Sequence, residues 1–279
     1  MKSSNIILVP TDFSDAARNA TDYAISLAKE INYEVLLFHV YNTPVMDYPD
    51  VNTVMVIDIV EFEKQAKKRV KDEAEFLEKK TGTKIKYESV NGFVADEIVM
   101  CEQRHQPGFI VMGMKEVGPL SEMLLGSTVT DILLKVKAPL FIIPEKVPFR
   151  KPQRVAFGND PKIITDIEIH SSAQDLFSHF YSTVYILTVL KEPGAIDKSI
   201  IEAKLEKHFA SRFHTYHFLE NEDVTEAIND FVDVNAIDLV VMMPYKHSFF
   251  ERLFNKPHTK SLAFHSHIPM LSLANGSKP

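Results

Sequence analysis

The sequence predicts an α/β protein built as two tandem open parallel sheets of five strands each, with helices on both faces in a Rossmann-like arrangement. Three observations carry that prediction. Short apolar runs alternate with longer stretches of helical periodicity, which is the pattern of strand–helix units. The runs "IILV" and "LFII" are apolar at every position, so both faces of those strands are covered, as in a parallel sheet. The order of runs repeats once, and 279 residues correspond to about two domains at roughly 150 residues each.

In the first half, "NIILVP" (5–10) reads as a strand and residues 14–31 as a helix. Ser14 precedes the helical pattern as an N-cap, and Asp15 in the first turn meets the positive end of the dipole. Next come strand "EVLLFHV" (34–40), a long helix at about 60–80, strand "KIKYESV" (84–90), helix 95–104, strand "FIVMG" (109–113), helix 120–136 and strand "PLFIIP" (139–144). The second half repeats the order with "RVAF" (154–157), helix 163–180, "TVYILTVL" (183–190), helix 195–210, "FHTYHFL" (213–219), helix 224–234, "IDLVVMM" (237–243), helix 249–264 and "PMLSL" (269–273). Domains are expected at 1–145 and 152–279, joined by "PEKVPFRKPQ" (144–153), whose three prolines stop regular structure. The first half is longer because of "YNTPVMDYPDVNTVMVID" (41–58), a connection long enough to suggest a lid or a partner contact.

Composition narrows the function classes. Hydrophobic residues are 45% and charged residues 25% of the chain, the balance of a soluble globular protein. No apolar run approaches the roughly 18 residues of a membrane span, and the start has no signal-peptide pattern, so the expected address is the cytoplasm. The net charge of −7 gives no global attraction to nucleic acid or to an anionic membrane. The basic stretch "EKQAKKRVKDEAEFLEKK" alternates acids and bases at helical spacing and reads as a solvated helix face. A single cysteine, Cys101, excludes an intrachain disulfide and is expected in buried packing.

In an open parallel sheet, ligands sit beyond the carboxyl ends of the strands where the strand order reverses. Two stretches are expected to meet there. "VPTDFS" places Asp12 at a strand tip before a helix, and "VMGMKEVGPLSEMLLGST" (111–128) carries glycines at 113, 118 and 126. Gly113 would allow backbone to approach a ligand, while Gly126, Ser127 and Thr128 would offer N–H and hydroxyl donors to phosphate near a helix start. Plain turn glycines are the alternative. The second half offers "VMMPYKHSFFERLFNKPHT" (241–259), with the same apolar entry and no glycine.

The segments "IILVPTDFSDAARNATDYAISLAKE", "LLFHVY", "FIVMG", "LLGST" and "APLFIIP" resemble the universal stress protein family, and a tandem pair of its domains would cover nearly the whole chain. The resemblance implies an adenine nucleotide alpha hydrolase-like fold and the nucleotide motif G-x2-G-x9-G-[ST]. Gly113, Gly126, Ser127 and Thr128 match that motif, while Glu116 stands at its middle glycine. By the resemblance, Pro10, Thr11 and Asp12 lie near ribose and base, the Val40 backbone meets adenine, and Met112, Gly113, Lys115, Glu116, Gly126, Ser127 and Thr128 complete the site. The implied cofactor is ATP, with Mg²⁺ as a bridge past Glu116. A carboxylate about 4 Å from a phosphate charge costs on the order of 4 kcal/mol at an effective dielectric near 20, so Glu116 is expected to weaken phosphate binding. In the second half Met243 and Pro244 replace the glycine entry and "FNKPHT" replaces "LGST", leaving Asp160 as a remnant. That half is expected to be a degenerate copy pairing intramolecularly with the first in a dimer-like core, with further homodimerisation left open.

The implied role is stress-response binding and signalling. The alternative is a nucleotide-independent scaffold that binds a protein or apolar ligand through the loop at 44–57 and the second half. Enzyme activity is not expected beyond slow ATP hydrolysis, since no positioned base or charge clamp is visible. A zinc pair at His265 and His267 lacks a third ligand, no G-x-S-x-G elbow is present, and Pro119 occupies the P-loop lysine position. Phe250, Leu253 and Phe254 read as one apolar helix face.

Overall fold

The computed structural model describes residues 3–42, 59–117, 122–123, 127–133, 135–160, 169–190, 197–243 and 268–273. The first half runs β1 (Ser4–Pro10), α1 (Asp15–Ile31), β2 (Glu34–Tyr41), α2 (Ile59–Thr81), β3 (Ile85–Asn91), α3 (Val94–His105) and β4 (Pro107–Met114). A two-stranded hairpin of β5 (Glu116–Val117) and β6 (Glu122–Met123) comes next, then α4 (Ser127–Leu133) and β7 (Leu140–Pro144). The second half comprises β8 (Arg154–Asn159), α5 (Ser171–His179), β9 (Thr183–Leu190), α6 (Lys198–Phe209), β10 (His214–Glu220), α7 (Val224–Val234), β11 (Leu239–Met242) and β12 (Met270–Ser272).

Ten strands form one sheet in the order β10-β9-β8-β11-β12-β7-β4-β1-β2-β3. Each half contributes the same relative order, and every pair is parallel except β12 with β7, which meet antiparallel with Leu271 opposite Phe141. Each half therefore covers the other's edge, removing two unpaired strands from solvent. Two apolar layers flank the sheet and both cross the junction. One holds Phe109 and Phe141 with Phe157, Phe177 and Phe209, and the other holds Leu140 and Ile142 with Met242 and Met270.

The helices obey local chemistry. The Ser14 hydroxyl accepts the Ala17 N–H at 3.3 Å, and Asn32 ends α1 in the left-handed conformation at φ 57°. The basic stretch lies on α2, where Lys64 pairs with Glu61, Lys67 with Glu63, Lys68 with Asp72 and Lys71 with Glu75, all partly exposed. Val70, Ala74 and Leu77 form its buried stripe. The linker has no regular structure but is held in place: Asn19 donates to the Pro144 and Val147 carbonyls at 2.8 and 2.9 Å, and Phe149 lies between Tyr23 and Phe180.

Three expected boundaries shift. Where a helix is expected at 120–136, the described residues instead form strand β6 at Glu122–Met123 and a short helix over Ser127–Leu133, since Gly126 interrupts the helical pattern. The described part of the fifth helix spans Ser171–His179, its N-terminus capped by His170 accepting from the Ser172 N–H. The sixth starts at Lys198, because Asp197 accepts from Ser199 N–H and fixes the cap there. The long connection, the helix at 249–264 with Phe250, Leu253 and Phe254, and His258, His265 and His267 lie outside the described residues. No helix among the described residues is long and apolar enough to cross a membrane.

Candidate functional site

In the first half the strand order reverses between β1 and β4, and their carboxyl ends bring together residues far apart in sequence. Pro10 ends β1 opposite Phe38 of β2, and the Thr11 N–H extends the ladder to the Phe38 carbonyl at 2.8 Å. The chain then turns sharply into α1. Phe13 N–H donates to Thr11 Oγ1 at 3.0 Å and Ser14 N–H to Asp12 Oδ1 at 2.9 Å. Phe13 adopts φ 63°, a left-handed conformation that costs a bulky side chain roughly 1–2 kcal/mol. Packing offsets that cost, since the Phe13 ring is 4.7 Å from the His39 ring and 4.0 Å beneath the Arg69 guanidinium.

His39 also holds the turn from below. Its Nδ1 lies 2.9 Å from the Thr11 carbonyl oxygen, and because a carbonyl only accepts, Nδ1 carries the proton. Asp12 is exposed at the tip. Partial burial pushes its carboxyl up, but hydrogen bonds from Ser14 and the positive charge of Lys115 outweigh burial and leave it below the ordinary carboxylate value. The site therefore presents an ionised carboxylate from one strand tip and an ammonium from the other.

The bare face of Gly113 meets protein backbone. A β-carbon built on it would lie 2.1 Å from the Ala16 carbonyl oxygen and 2.4 Å from its carbon, so its bare face admits the backbone of α1. That contact seats the N-terminus of α1 over the end of β4. Met112 is buried on the opposite face, where half-buried Val40 and the Val129, Ile132 and Leu133 side chains of α4 pack into the same apolar layer. Val40 lies past the end of β1 and pairs with Val90.

The structure thus brings Pro10, Thr11, Asp12, Met112, Gly113 and Lys115 to one end of the β1–β4 pair, with Val40 one strand away. Glu116 begins the hairpin opposite Met123, and Ser127 and Thr128 open α4. Gly126 lies outside the described residues, as do Gly118, Pro119 and Pro244. Phe13, His39 and Arg69 are the site neighbours that the sequence did not reveal. A positive φ at phenylalanine and a cation stacked from α2 have no local sequence signal.

A cavity of about 630 Å³ opens at the opposite, amino end of β1 and β2, lined in part by Ser4, Lys29, Tyr33, Thr83 and Lys84. There Glu34 is already paired with Lys84 at 2.7 Å and Lys86 at 2.6 Å. The strand-tip site is preferred on chemistry, because it joins a strand-order reversal, uncovered opposite charges and a helix start.

The second half carries different residues at the corresponding strand ends. Asn159 at the end of β8 is buried, its amide donating to the Leu187 carbonyl at 2.8 Å and to Thr188 Oγ1 at 3.0 Å. Met242 and Met243 at the end of β11 are buried, and Met242 faces Gly158 across the ladder. Asp160 has an interaction partner of its own.

Comparison with known proteins identifies the family. Residues 4–144 match the model of the universal stress protein family. Universal stress protein MJ0531 of Methanocaldococcus jannaschii is 31% identical over 140 residues, covering 49% of this chain and 80% of that relative. Universal stress protein MJ0577 of the same organism is 28% identical over 153 residues, covering 50% and 94%. Among solved structures, a universal stress protein from Archaeoglobus fulgidus superposes with a TM-score of 0.74 at 20% identity, covering 99% of this chain and 100% of that one. That likeness speaks for the fold across both halves. By the match over residues 4–144, which spans half of its length, the chain belongs to the universal stress protein family.

Proposed function

We propose that this protein binds an adenine nucleotide, ATP first, at the carboxyl ends of β1 and β4, and acts as a stress-response binding and signalling protein rather than as an enzyme. The observation that supports the reading is that Asp12 and Lys115 stand at the two strand tips of the strand-order reversal, inside the stretch that matches the family. The donor set fits the nucleoside end of such a ligand. An ionised Asp12 accepts hydrogen bonds from ribose hydroxyls, the half-buried apolar surface at Val40 suits a purine, and Lys115 offers a cation to phosphate. Ser127 and Thr128 would receive further phosphates, and Glu116 opposes them unless Mg²⁺ bridges.

The second half is proposed to be a second domain of the same family that does not bind nucleotide in the same way. The repeated strand order and the full-length fold likeness support its kinship, and the buried Asn159–Thr188 pair supports its lack of a ligand. Its role is to complete the sheet and the two cores intramolecularly. The protein is proposed to act in the cytoplasm, on neither nucleic acid nor membrane.

Titration calorimetry of the full chain with ATP and Mg²⁺, then with ADP and AMP, tests the reading. Saturable one-to-one binding that Asp12→Ala weakens at least tenfold supports it. Silence from all three nucleotides at tens of micromolar protein overturns it. Turnover of ATP that Asp12→Ala abolishes would overturn the non-enzymatic part alone.

A further inference from the structure

Three donor groups of different kinds meet between β3 and α3, away from the strand-tip site. Cys101 and His105 stand one turn apart on α3, and Glu88 rises from β3, where it is paired with Phe38. One donor atom from each residue falls within 4.8 Å of the others. We propose that Glu88, Cys101 and His105 form a three-ligand zinc site with its fourth position open to solvent. The proposal is independent of nucleotide binding.

Thiolate, imidazole and carboxylate are the ligand types zinc takes, and three protein ligands with one open position is an arrangement of its reactive sites. The cluster has a closed back and an open mouth. Cys101 is 0% exposed, whereas the Glu88 and His105 side chains are 31% and 29% exposed. His105 Nε2 already lies 2.6 Å from Glu88 Oε1. With bonds of about 2.0–2.3 Å, ligand atoms around a tetrahedral zinc stand roughly 3.5 Å apart, so this pair opens by about an ångström to admit the ion. Arg104 holds the other carboxylate oxygen at 3.2 Å, the kind of outer partner that fixes a ligating carboxylate. Its charge counts against a cation, but thiolate and carboxylate together supply two negative charges to the ion.

Without metal, burial and Glu88 push the Cys101 thiol up to about 12, so the thiol is protonated. As zinc binds, the S–H bond breaks, the proton leaves to buffer, and the sulfur pair forms the Zn–S bond. No electron changes hands.

Cobalt(II) substitution tests the site directly, because Cys101 is the sole cysteine and any thiolate-to-cobalt charge-transfer absorption must come from it. The full chain, reduced with a phosphine, is expected to develop that near-ultraviolet band at one equivalent of cobalt and to lose it when zinc is added. His105→Gln and Glu88→Gln, with circular dichroism confirming the fold, should each weaken cobalt binding at least tenfold. Histidines elsewhere can hold cobalt without the band, so binding that produces no band overturns the proposal. So does a band whose affinity is undiminished by either substitution.

Discussion

At the ends of β1 and β4 the chain exposes an ionised carboxylate and a lysine beside a glycine, whereas at the ends of β8 and β11 the described residues include a buried amide, Asn159, and a buried methionine, Met243, where the first half has Gly113. Both halves share one strand order, one pair of core layers and one sheet. Among the described residues the halves differ at the strand tips while sharing the sheet, which teaches that sheet and site are specified separately. Alternating apolar runs fix the sheet, because burial of strand faces is insensitive to the residues beyond the last paired one. Whether the tip binds anything depends on whether its polar groups are satisfied internally. Asn159 and Thr188 are buried and hydrogen-bond each other, while Asp12, though its Oδ1 accepts from the Ser14 N–H, and Lys115 are exposed to solvent.

The largest effect is expected from Gly113→Ala, which puts a methyl against the backbone of α1 where no side chain can swing away. A loss of about 3 kcal/mol in urea unfolding is expected. A loss under about 0.5 kcal/mol would show that α1 shifts freely and that Gly113 does not seat it. Asn159→Ala removes an amide from a buried pair and strands the Leu187 carbonyl and Thr188 hydroxyl. The cost should be about 2 kcal/mol by the same measurement, and nucleotide titration should detect no new binding in the second half. New binding there would mean that the plug, and not the wider loss of the motif, separates the halves.

A smaller change tests the first half's own departure from its family motif. Glu116→Gly is expected to tighten ATP about tenfold, equivalent to about 1.4 kcal/mol, and AMP much less, since charge beyond the α-phosphate is what the carboxylate opposes. Equal gains for both nucleotides would point to loop shape and not charge. Adding glycine at Met243 should bring no comparable gain.

The smallest effect concerns pH. Burial against Phe231 and Tyr185 lowers the His217 pKa below its usual 6.5, so the unfolded chain takes up this proton more readily than the native one. Its contribution to stability is complete above about 6.5 and declines as pH falls toward the lower native value. Burial lowers His170 in the same direction. Urea midpoints should drop from pH 7.5 to 5.5, and His217→Gln should flatten that drop. An unchanged slope in the variant would assign the acid sensitivity elsewhere.

Much of the molecule is legible in the sequence. The strand order of runs, the Ser14 cap, the solvated face of α2 and the buried Cys101 come from short-range rules about periodicity, capping and burial. The helix expected over 120–136 does not form as one element because Gly126 outweighs its apolar spacing. In sequence Cys101 reads as packing alone because its partners are separated: His105 stands one helical turn away, but Glu88 arrives from another element.

The sequence by itself determined the α/β class, the repeat, the family-like segments and the candidate residues Asp12, Gly113 and Lys115, since each is encoded within a window of a few turns or strands. Tertiary structure alone decided that β7 and β12 fuse the halves antiparallel into one sheet, and that the backbone of α1 approaches the bare face of Gly113. It also decided that Asn159 is buried against Leu187 and Thr188 and that Phe13 is held left-handed under Arg69. Each of these depends on which surfaces meet after the chain has folded back on itself, and residues from distant elements carry no local signal of their future neighbours.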